Sequence, residues 1–370
     1  MALTKLDGSA LGSTAQDLLG SRNLIINGAC NVAQRGTTST STTYGSVDRM
    51  YYTHNGTDEA CTTAQHALTS SDTGPWAAGF RNSYHITNGN QTSGVAADHV
   101  IVTRYLIEAQ DIANSGWDYT SSSSYITLSF WVKASVAQTY YVRLESQDGT
   151  AQNYSFALTL SANTWTKITK TIPGNSNLQF DNNTSMGLKI EFNLYRGTDS
   201  TTSGHTLDTW AAYSSSSRVP DMTGTWYTTN DATFEYTGLQ LEVGNSATEF
   251  EHRSFTDELQ RCKRYYNMYA KGLNVYVGST TFLYSSSVAI TPFKFDPEMR
   301  ATPSMEVSNF TNAYQLYING SGTNFDTFAS VNGINEKGGN LNFAHSGTAG
   351  QAGGTYLNNA ASQVAFSAEI

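Results

Sequence analysis

Apolar and polar residues alternate in several short runs of this chain. In residues 125–134 every second side chain is apolar, at Ile126, Leu128, Phe130 and Val132. Because successive side chains of a strand point to opposite faces, this pattern predicts a strand with one buried face. Comparable strand candidates are 46–53, 81–87, 99–108, 140–145, 165–172, 188–195 and 233–243. Separated by Ser, Gly, Asn and Asp turns, they predict an antiparallel sandwich or jelly roll before Phe250.

The composition supports a mainly β protein. Charged residues make up 14% of the chain, against about 25% in a typical globular protein. The polar surface is therefore built mostly from uncharged residues, which favour strands and turns over surface helices.

One segment interrupts the alternation and divides the chain. Residues 254–269 predict a short helix, because the apolar positions recur at helical 4-3-4-3 spacing after a Ser254/Asp257 capping pattern. Alternation returns after Gly272 and predicts a second small β-sandwich of about 100 residues. We therefore expect an N-terminal docking arm (1–22), a jelly-roll domain (23–253), a helical connector (254–271) and a small β domain (272–370).

The first 22 residues are too polar to form a core, but isolated leucines among Gly, Ser and Thr could fill grooves on a partner. The arm is either frayed or ordered by docking. It lacks the features of a secretory signal, and no stretch of the chain approaches a membrane span. We expect synthesis in a reducing cytosol and no membrane insertion.

The sequence carries none of the usual local signatures of an enzyme or a nucleic-acid-binding protein. A formal net charge of −9 without basic runs excludes DNA and RNA as expected partners. The seven histidines show no metal-ligand spacing, and three cysteines give no disulfide framework, with Cys30–Cys61 the only pairing considered. We expect no catalytic residues, no metal and no cofactor.

Strand carboxylates leave one enzymatic alternative open. A glycosidase needs two carboxylates that the fold brings together. The candidates on polar strand faces are Glu108, Glu145, Glu191 and Glu235. Solvated or ion-paired strand carboxylates are the alternative interpretation.

Aromatic residues supply the positive signal for function. They make up 12% of the chain, and several fall in loops or on polar strand faces. Flat rings beside uncharged hydrogen-bonding groups suit sugars, although tyrosine is also a good strand former. The predicted glycan-binding residues, on one polar face of the first sandwich, are Trp131, Tyr141, Arg143, Asn193 and Tyr195.

Three blocks in matching order, Asn23–Gly28, Tyr125–Ala134 and Thr237–Glu242, resemble the jelly-roll carbohydrate-binding modules of families four and nine. Further blocks make the chain similar to the distal region of tail-fibre proteins of marine and cyanobacterial tailed phages. They are 32–36, 46–49, 250–254, 257–266, 295–303 and 364–369. Ala29, Cys30 and Asn31 depart from the acidic pattern that often supplies a calcium site in these modules.

The resemblance implies a virion appendage that binds host surface polysaccharide or lipopolysaccharide without catalysis. It also implies a homotrimer. Three copies of the predicted helix 254–269 would then pack around an axis through Phe255, Leu259, Cys262, Tyr266 and Tyr269. Packing of this helix on its own sandwich is the alternative. Attachment to other virion proteins would use residues 1–22. The rival functions are a virion-borne glycan depolymerase and a structural capsid decoration or connector.

Overall fold

A computed structural model describes residues 22–370 of the chain. Strands make up 43% and helices 6%, which confirms the predicted mainly β class. The chain forms two compact units, one ending at Phe255 and including Ile370, the other spanning Thr256–Glu369. The docking arm predicted for residues 1–22 lies outside the described residues except for Arg22.

The first unit is a jelly-roll sandwich of two six-stranded antiparallel sheets. Its strands are β1 (Thr38–Ser39), β2 (Tyr51–Asn55), β3 (Thr62–Ala67), β4 (Asn82–Thr87), β5 (Val100–Glu108), β6 (Tyr125–Ala134), β7 (Gln138–Ser146), β8 (Gln152–Leu160), β9 (Thr166–Pro173), β10 (Met186–Arg196), β11 (Trp210–Ala212) and β12 (Thr233–Val243). Two short helices, α1 (Ala109–Ala113) and α2 (Thr225–Thr228), and a 3-10 turn (Thr198–Ser200) lie between strands. The first sheet has the order β1-β3-β4-β12-β6-β9, and the second β11-β8-β7-β10-β5-β2.

The core of this unit lies between the two sheets, and the alternating apolar residues build it. Ile126, Leu128, Phe130 and Val132 of β6 are at most 1% exposed. Phe130 packs edge-on against Phe192 of β10, with ring centroids 5.1 Å apart. The predicted inward faces of both strands therefore form the core, where burial of apolar surface supplies most of the stabilisation.

A β-bulge in β12 reverses which side chains face the core. Phe234 and Tyr236 are buried, and so are Leu239 and Leu241, although two-residue periodicity cannot place all four on one face. The pairing with β6 shifts between Thr237 and Gln240, where Gly238 has a φ of +66°. The extra residue restores the apolar side chains to the core, as bulges do.

The second unit is a smaller β-sandwich with its own aromatic core. Its strands are β13 (Tyr266–Lys271), β14 (Tyr276–Leu283), β15 (Val288–Lys294), β16 (Ser304–Val307), β17 (Tyr314–Ile318), β18 (Ser321–Phe325), β19 (Ser330–Asn335), β20 (Gly338–Ala344), β21 (Ala352–Leu357) and β22 (Gln363–Ser367). They form a three-stranded sheet, β13-β22-β16, and a seven-stranded sheet, β18-β17-β21-β14-β15-β20-β19. In this core the ring of Phe293 on β15 stacks on the ring of Phe366 on β22, with centroids 4.6 Å apart.

The helix between the alternating regions is shorter than the sequence predicts. Helix α3 spans Phe255–Lys263, and residues 266–271 form β13, which pairs with β22 near the C-terminus. Helix is thus the wrong prediction for Tyr266 and Tyr269, because aromatic residues suit a strand and a sheet partner about 100 residues away is available. Among the described helices, none has the length and apolar character needed to cross a membrane.

Candidate functional site

The five predicted glycan-binding residues lie on two different sheets. Trp131 is on β6 of the first sheet, whereas Tyr141 and Arg143 are on β7 and Asn193 and Tyr195 on β10 of the second. Arg143 and Asn193 are 1% exposed, and Tyr195 is 5% exposed. The expectation that all five share one solvent-facing surface is therefore wrong, and only Trp131 and Tyr141 keep partly exposed side chains.

Arg143 is buried because it belongs to a network of ion pairs on the outer face of the second sheet. Glu191 accepts bonds from Arg104 Nε at 2.7 Å, Arg143 Nε at 3.0 Å and Arg196 Nη2 at 2.8 Å. Arg143 also pairs with Glu145, which Lys189 contacts at 2.9 Å. Buried charges need such partners, because removal from water is otherwise costly.

The covering segment, residues 197–221, closes this face from solvent. Its His205 Nε2 lies 2.6 Å from Ser155 Oγ on β8, and its Arg218 carbonyl accepts a bond from Asn153 at 3.2 Å. The ring of Tyr213 lies 5.8 Å from the guanidinium of Arg143. Alternation correctly placed Arg143 on the outward face, but a chain segment covers that face.

The electrostatics of the network keep its carboxylates ionised. Burial raises the pKa of Glu191, but the guanidinium groups of Arg143, Arg196 and Arg104 outweigh burial and hold the pKa well below its usual value. The pKa of Glu145 is lowered for the same kind of reason: burial opposes the shift, and Arg143 and Lys189 produce it. These groups are therefore suited to holding the fold together and poorly suited to donating a proton.

Trp131 lines a pocket of about 120 Å³ on the first sheet. The lining comprises Ala78, Phe80, Ser129, Phe130, Trp131, Lys167, Gly238, Thr248, Glu249, Phe250 and His252. Phe80, Phe250 and His252 form a mutual ring contact, with centroids 4.8 to 5.1 Å apart. The pocket thus combines aromatic walls with hydroxyl, ammonium and carboxylate groups at its edge.

Two glycines allow the aromatic walls to approach the backbone. A Cβ at Gly238 would lie 2.5 Å from the ring of Phe80, so the β12 bulge gives Phe80 its position. At Gly74, a Cβ would lie 2.6 Å from the ring of Trp131. Both glycines have positive φ, at +66° and +101°, which other residues adopt at a cost.

The loop between β3 and β4 is anchored beside the pocket by Asp72. The Asp72 carboxylate accepts a bond from Trp165 Nε1 at 3.0 Å and pairs with Lys133 Nζ at 3.1 Å. Lys133 also lies over the Trp165 ring, 4.8 Å from its centroid. Because this loop carries Gly74 and Ala78, the anchor fixes one wall of the pocket.

Sequence reasoning missed most of the pocket. Phe80, Phe250 and His252 come from a loop and from the segment after β12, which have no regular periodicity. The available signal was local: Phe80 and Phe250 are bulky apolar residues in connections outside the strands. Only Trp131 was both predicted as a glycan-binding residue and found in the pocket lining.

No protein-family model and no curated protein matches the sequence. Among solved structures, the enzymatically active domain of bacteriophage CBA120 tailspike protein 4 has a TM-score of 0.31 and 12% identity. That match covers 60% of this chain and 22% of the tailspike chain. The N-terminal cellulose-binding domain of Cellulomonas fimi β-1,4-glucanase C has a TM-score of 0.28 and 11% identity. That match covers 58% of this chain and 100% of the cellulose-binding domain.

The family 11 carbohydrate-binding module of Lic26A-Cel5E from Clostridium thermocellum gives a TM-score of 0.27 and 9% identity. It covers 57% of this chain and 96% of the module. All three TM-scores lie below 0.5.

Proposed function

We propose that this chain is an external appendage of a tailed-phage virion, a tail fibre or receptor-binding protein, that attaches to host cell-surface glycan without catalysis. The observation that carries glycan binding is the aromatic-walled pocket at Trp131. Sugar rings stack their C–H faces on aromatic side chains, while their hydroxyls bond to polar groups at the edge. The virion assignment rests on the resemblance of the sequence blocks to tail-fibre proteins of marine and cyanobacterial phages.

Solvent access distinguishes the two sheets. Trp131 keeps part of its ring exposed, and Lys167, which is paired with it across the first sheet, is exposed. Arg143, Asn193 and Tyr195 are buried beneath other parts of the chain. Binding therefore uses the first sheet at Trp131, and not the buried network on the second sheet.

Catalysis by this chain would depend on its buried carboxylates. A glycosidase needs a carboxylic acid with a raised pKa beside a second carboxylate. The pKa of Glu235 is lowered to about 2: burial raises it, and contacts with His85, Lys133 and Ser83 outweigh burial. Together with the lowered pKa values of Glu145 and Glu191, this supports binding without hydrolysis.

A panel of bacterial lipopolysaccharides and capsular polysaccharides tests the binding. We expect Trp131→Ala and Lys167→Ala to weaken retention on the responding glycan at least tenfold. Tyr284→Ala, which removes a 71% exposed tyrosine from the second unit, is the matched control and should bind normally. The proposal is wrong if both pocket variants bind like the unchanged protein, or if reducing ends are released during incubation.

We further propose that three copies assemble, so that one shallow site per chain becomes an effective attachment through avidity. Phe255 at the start of α3 is 59% exposed and offers apolar contact area, whereas Cys262 is fully buried. Light scattering should give about three times the 40.2 kDa chain mass. A monomer at micromolar concentration would contradict the threefold assembly.

The arm formed by residues 1–22 is proposed to dock the protein on other virion proteins. Deleting residues 1–21, which keeps Arg22 beside the buried Glu242, should leave the melting temperature unchanged and prevent incorporation into virions. Normal incorporation of the truncated protein would show that docking uses another part of the chain. Incorporation on the capsid without any glycan binding would favour the structural alternative.

A further inference from the structure

Two histidines and one carboxylate meet on the outer face of the first sheet. His66 is on β3, His85 on β4 and Glu235 on β12, three neighbouring strands. His85 is directly opposite Glu235, and His66 is the diagonal neighbour of His85. The ligand atoms of all three side chains lie within 4.8 Å of one another.

The distances already resemble those around a tetrahedral metal ion. Glu235 Oε2 lies 3.3 Å from His66 Nδ1 and 3.4 Å from His85 Nδ1. Zn²⁺ bonds of about 2.0–2.1 Å place neighbouring ligand atoms about 3.3–3.4 Å apart in a tetrahedron. The two distances from Glu235 Oε2 to the histidine nitrogens therefore fit a tetrahedral site. Only the distance between the two imidazole nitrogens needs adjustment.

His85 gives an independent reason to expect a ligand. Within residues 22–370, its buried Nδ1 makes no hydrogen bond of good geometry, although it lies 3.4 Å from Glu235 Oε2. Buried polar atoms are rarely left in this state, because they lose their bonds to water on folding. A metal ion beside Glu235 would use the Nδ1 lone pair.

The surroundings hold the carboxylate in position for coordination. Lys133 Nζ pairs with Glu235 Oε1 at 2.8 Å, and Ser83 Oγ donates to Oε2 at 2.7 Å. Lys133 is itself held by Asp72. These contacts orient Oε2 towards the histidines, which is the role that outer partners play in metal sites.

The local charge also favours a divalent cation. With both histidines neutral, Glu235 and Asp72 carry two negative charges against the single positive charge of Lys133. The side chain of Glu235 is 2% exposed and that of His85 18%, whereas His66 is 48% exposed. An ion could therefore enter beside His66 and retain a water molecule there.

We propose that His66, His85 and Glu235 bind a zinc-type divalent transition-metal ion, with one coordination position open to water. Two imidazoles and a carboxylate suit Zn²⁺ or Co²⁺, whereas Ca²⁺ and Mg²⁺ prefer all-oxygen sites. The spacing hid this set in the sequence: His66 and His85 are 19 residues apart, and Glu235 is 150 residues further on. Strand pairing alone brings them together.

The full chain, stripped with EDTA, is titrated calorimetrically with ZnCl₂ and spectroscopically with CoCl₂. We expect one ion per chain and a visible Co²⁺ spectrum typical of a low-coordinate nitrogen and oxygen site. Loss of an outer-shell partner alone costs about 10–100-fold in affinity, so His66→Ala should weaken Zn²⁺ binding at least tenfold. His345→Ala, in the second unit, is the control and should bind within twofold of the unchanged protein.

Because His66 is half exposed, His66→Ala should melt like the unchanged protein in EDTA, which separates metal loss from misfolding. His85→Ala provides a second variant with the same expected loss of binding. No measurable Zn²⁺ binding overturns the proposal. Binding that His66→Ala leaves unchanged also overturns it, because the ion would then lie elsewhere.

Discussion

Replacing Glu191 by glutamine tests whether the buried charge network stabilises the first unit. Glu191 is completely buried and accepts three bonds from guanidinium groups. The amide of Glu191→Gln has the same shape but a single acceptor oxygen. It cannot serve Arg104 on one side and both Arg143 and Arg196 on the other, so at least one cation loses its partner.

The size of the effect follows from these contacts. A hydrogen bond to a charged group contributes about 1.5–3 kcal/mol. Breaking a buried ion pair by removing one partner costs about 3–5 kcal/mol, because it leaves an unpaired buried charge. In a unit of this size each kcal/mol lowers the melting temperature by about 2–4 °C, so Glu191→Gln should lower it by about 6–20 °C.

Tryptophan fluorescence is the appropriate assay, because all six tryptophans lie in the first unit. The matched control is Asp208→Asn, which also replaces a carboxylate by an amide. Asp208 forms an ion pair with Lys170, but its side chain is 54% exposed. Exposed pairs contribute about 0–1 kcal/mol, so the control should melt within about 4 °C of the unchanged protein. A Glu191→Gln midpoint within 2 °C of the unchanged protein would refute the reasoning.

Three further outcomes are expected. Because the pKa of Glu191 is lowered in the folded state, its stabilisation is complete above the unfolded pKa near 4.5. Below pH 4.5 the stabilisation by Glu191 falls by about 1.4 kcal/mol per pH unit. The urea midpoint of the unchanged protein should therefore fall more steeply from pH 5 to pH 3 than that of Glu191→Gln. Gly238→Ala should destabilise the first unit by about 1–3 kcal/mol, because the added Cβ would meet the ring of Phe80. Gly204→Ala is the control and should not destabilise it, because no atom lies within 4 Å of the added Cβ. Equal urea midpoints for the two variants would contradict this prediction. Burial raises the pKa of the Cys61 thiol to about 11, so iodoacetamide at pH 8 should label it only after unfolding, as mass spectrometry would show.

Alternation predicted the strands well where one face packs on a core. The predicted runs 125–134 and 233–243 coincide with β6 and β12. It failed for β13, because residues 266–271 fit helical and strand spacing equally well and their partner is remote in sequence. Local periodicity cannot choose between two structures when a distant strand decides.

The candidate sites show a different limit. Periodicity indicates which side chains leave the core, as it did for Arg143, but it does not show whether another segment covers them. The covering segment has little regular structure and gave no signal of its own. The His66, His85 and Glu235 set depends on the register of three strands, which the sequence does not specify directly.

The chemistry beneath the covering segment has a consequence for aggregation. The surface that it covers carries the charged groups of Arg143, Glu145 and Glu191, while the apolar side chains of the same strands point to the opposite side of the sheet. Transient detachment of residues 197–221 would therefore expose a sheet face that water hydrates readily, but it would also uncover Trp210, which is 8% exposed and packs against Tyr154 with ring centroids 5.4 Å apart. Non-specific association is driven by exposed apolar patches. The tendency of the protein to associate with its own copies therefore depends on β11 staying paired with β8.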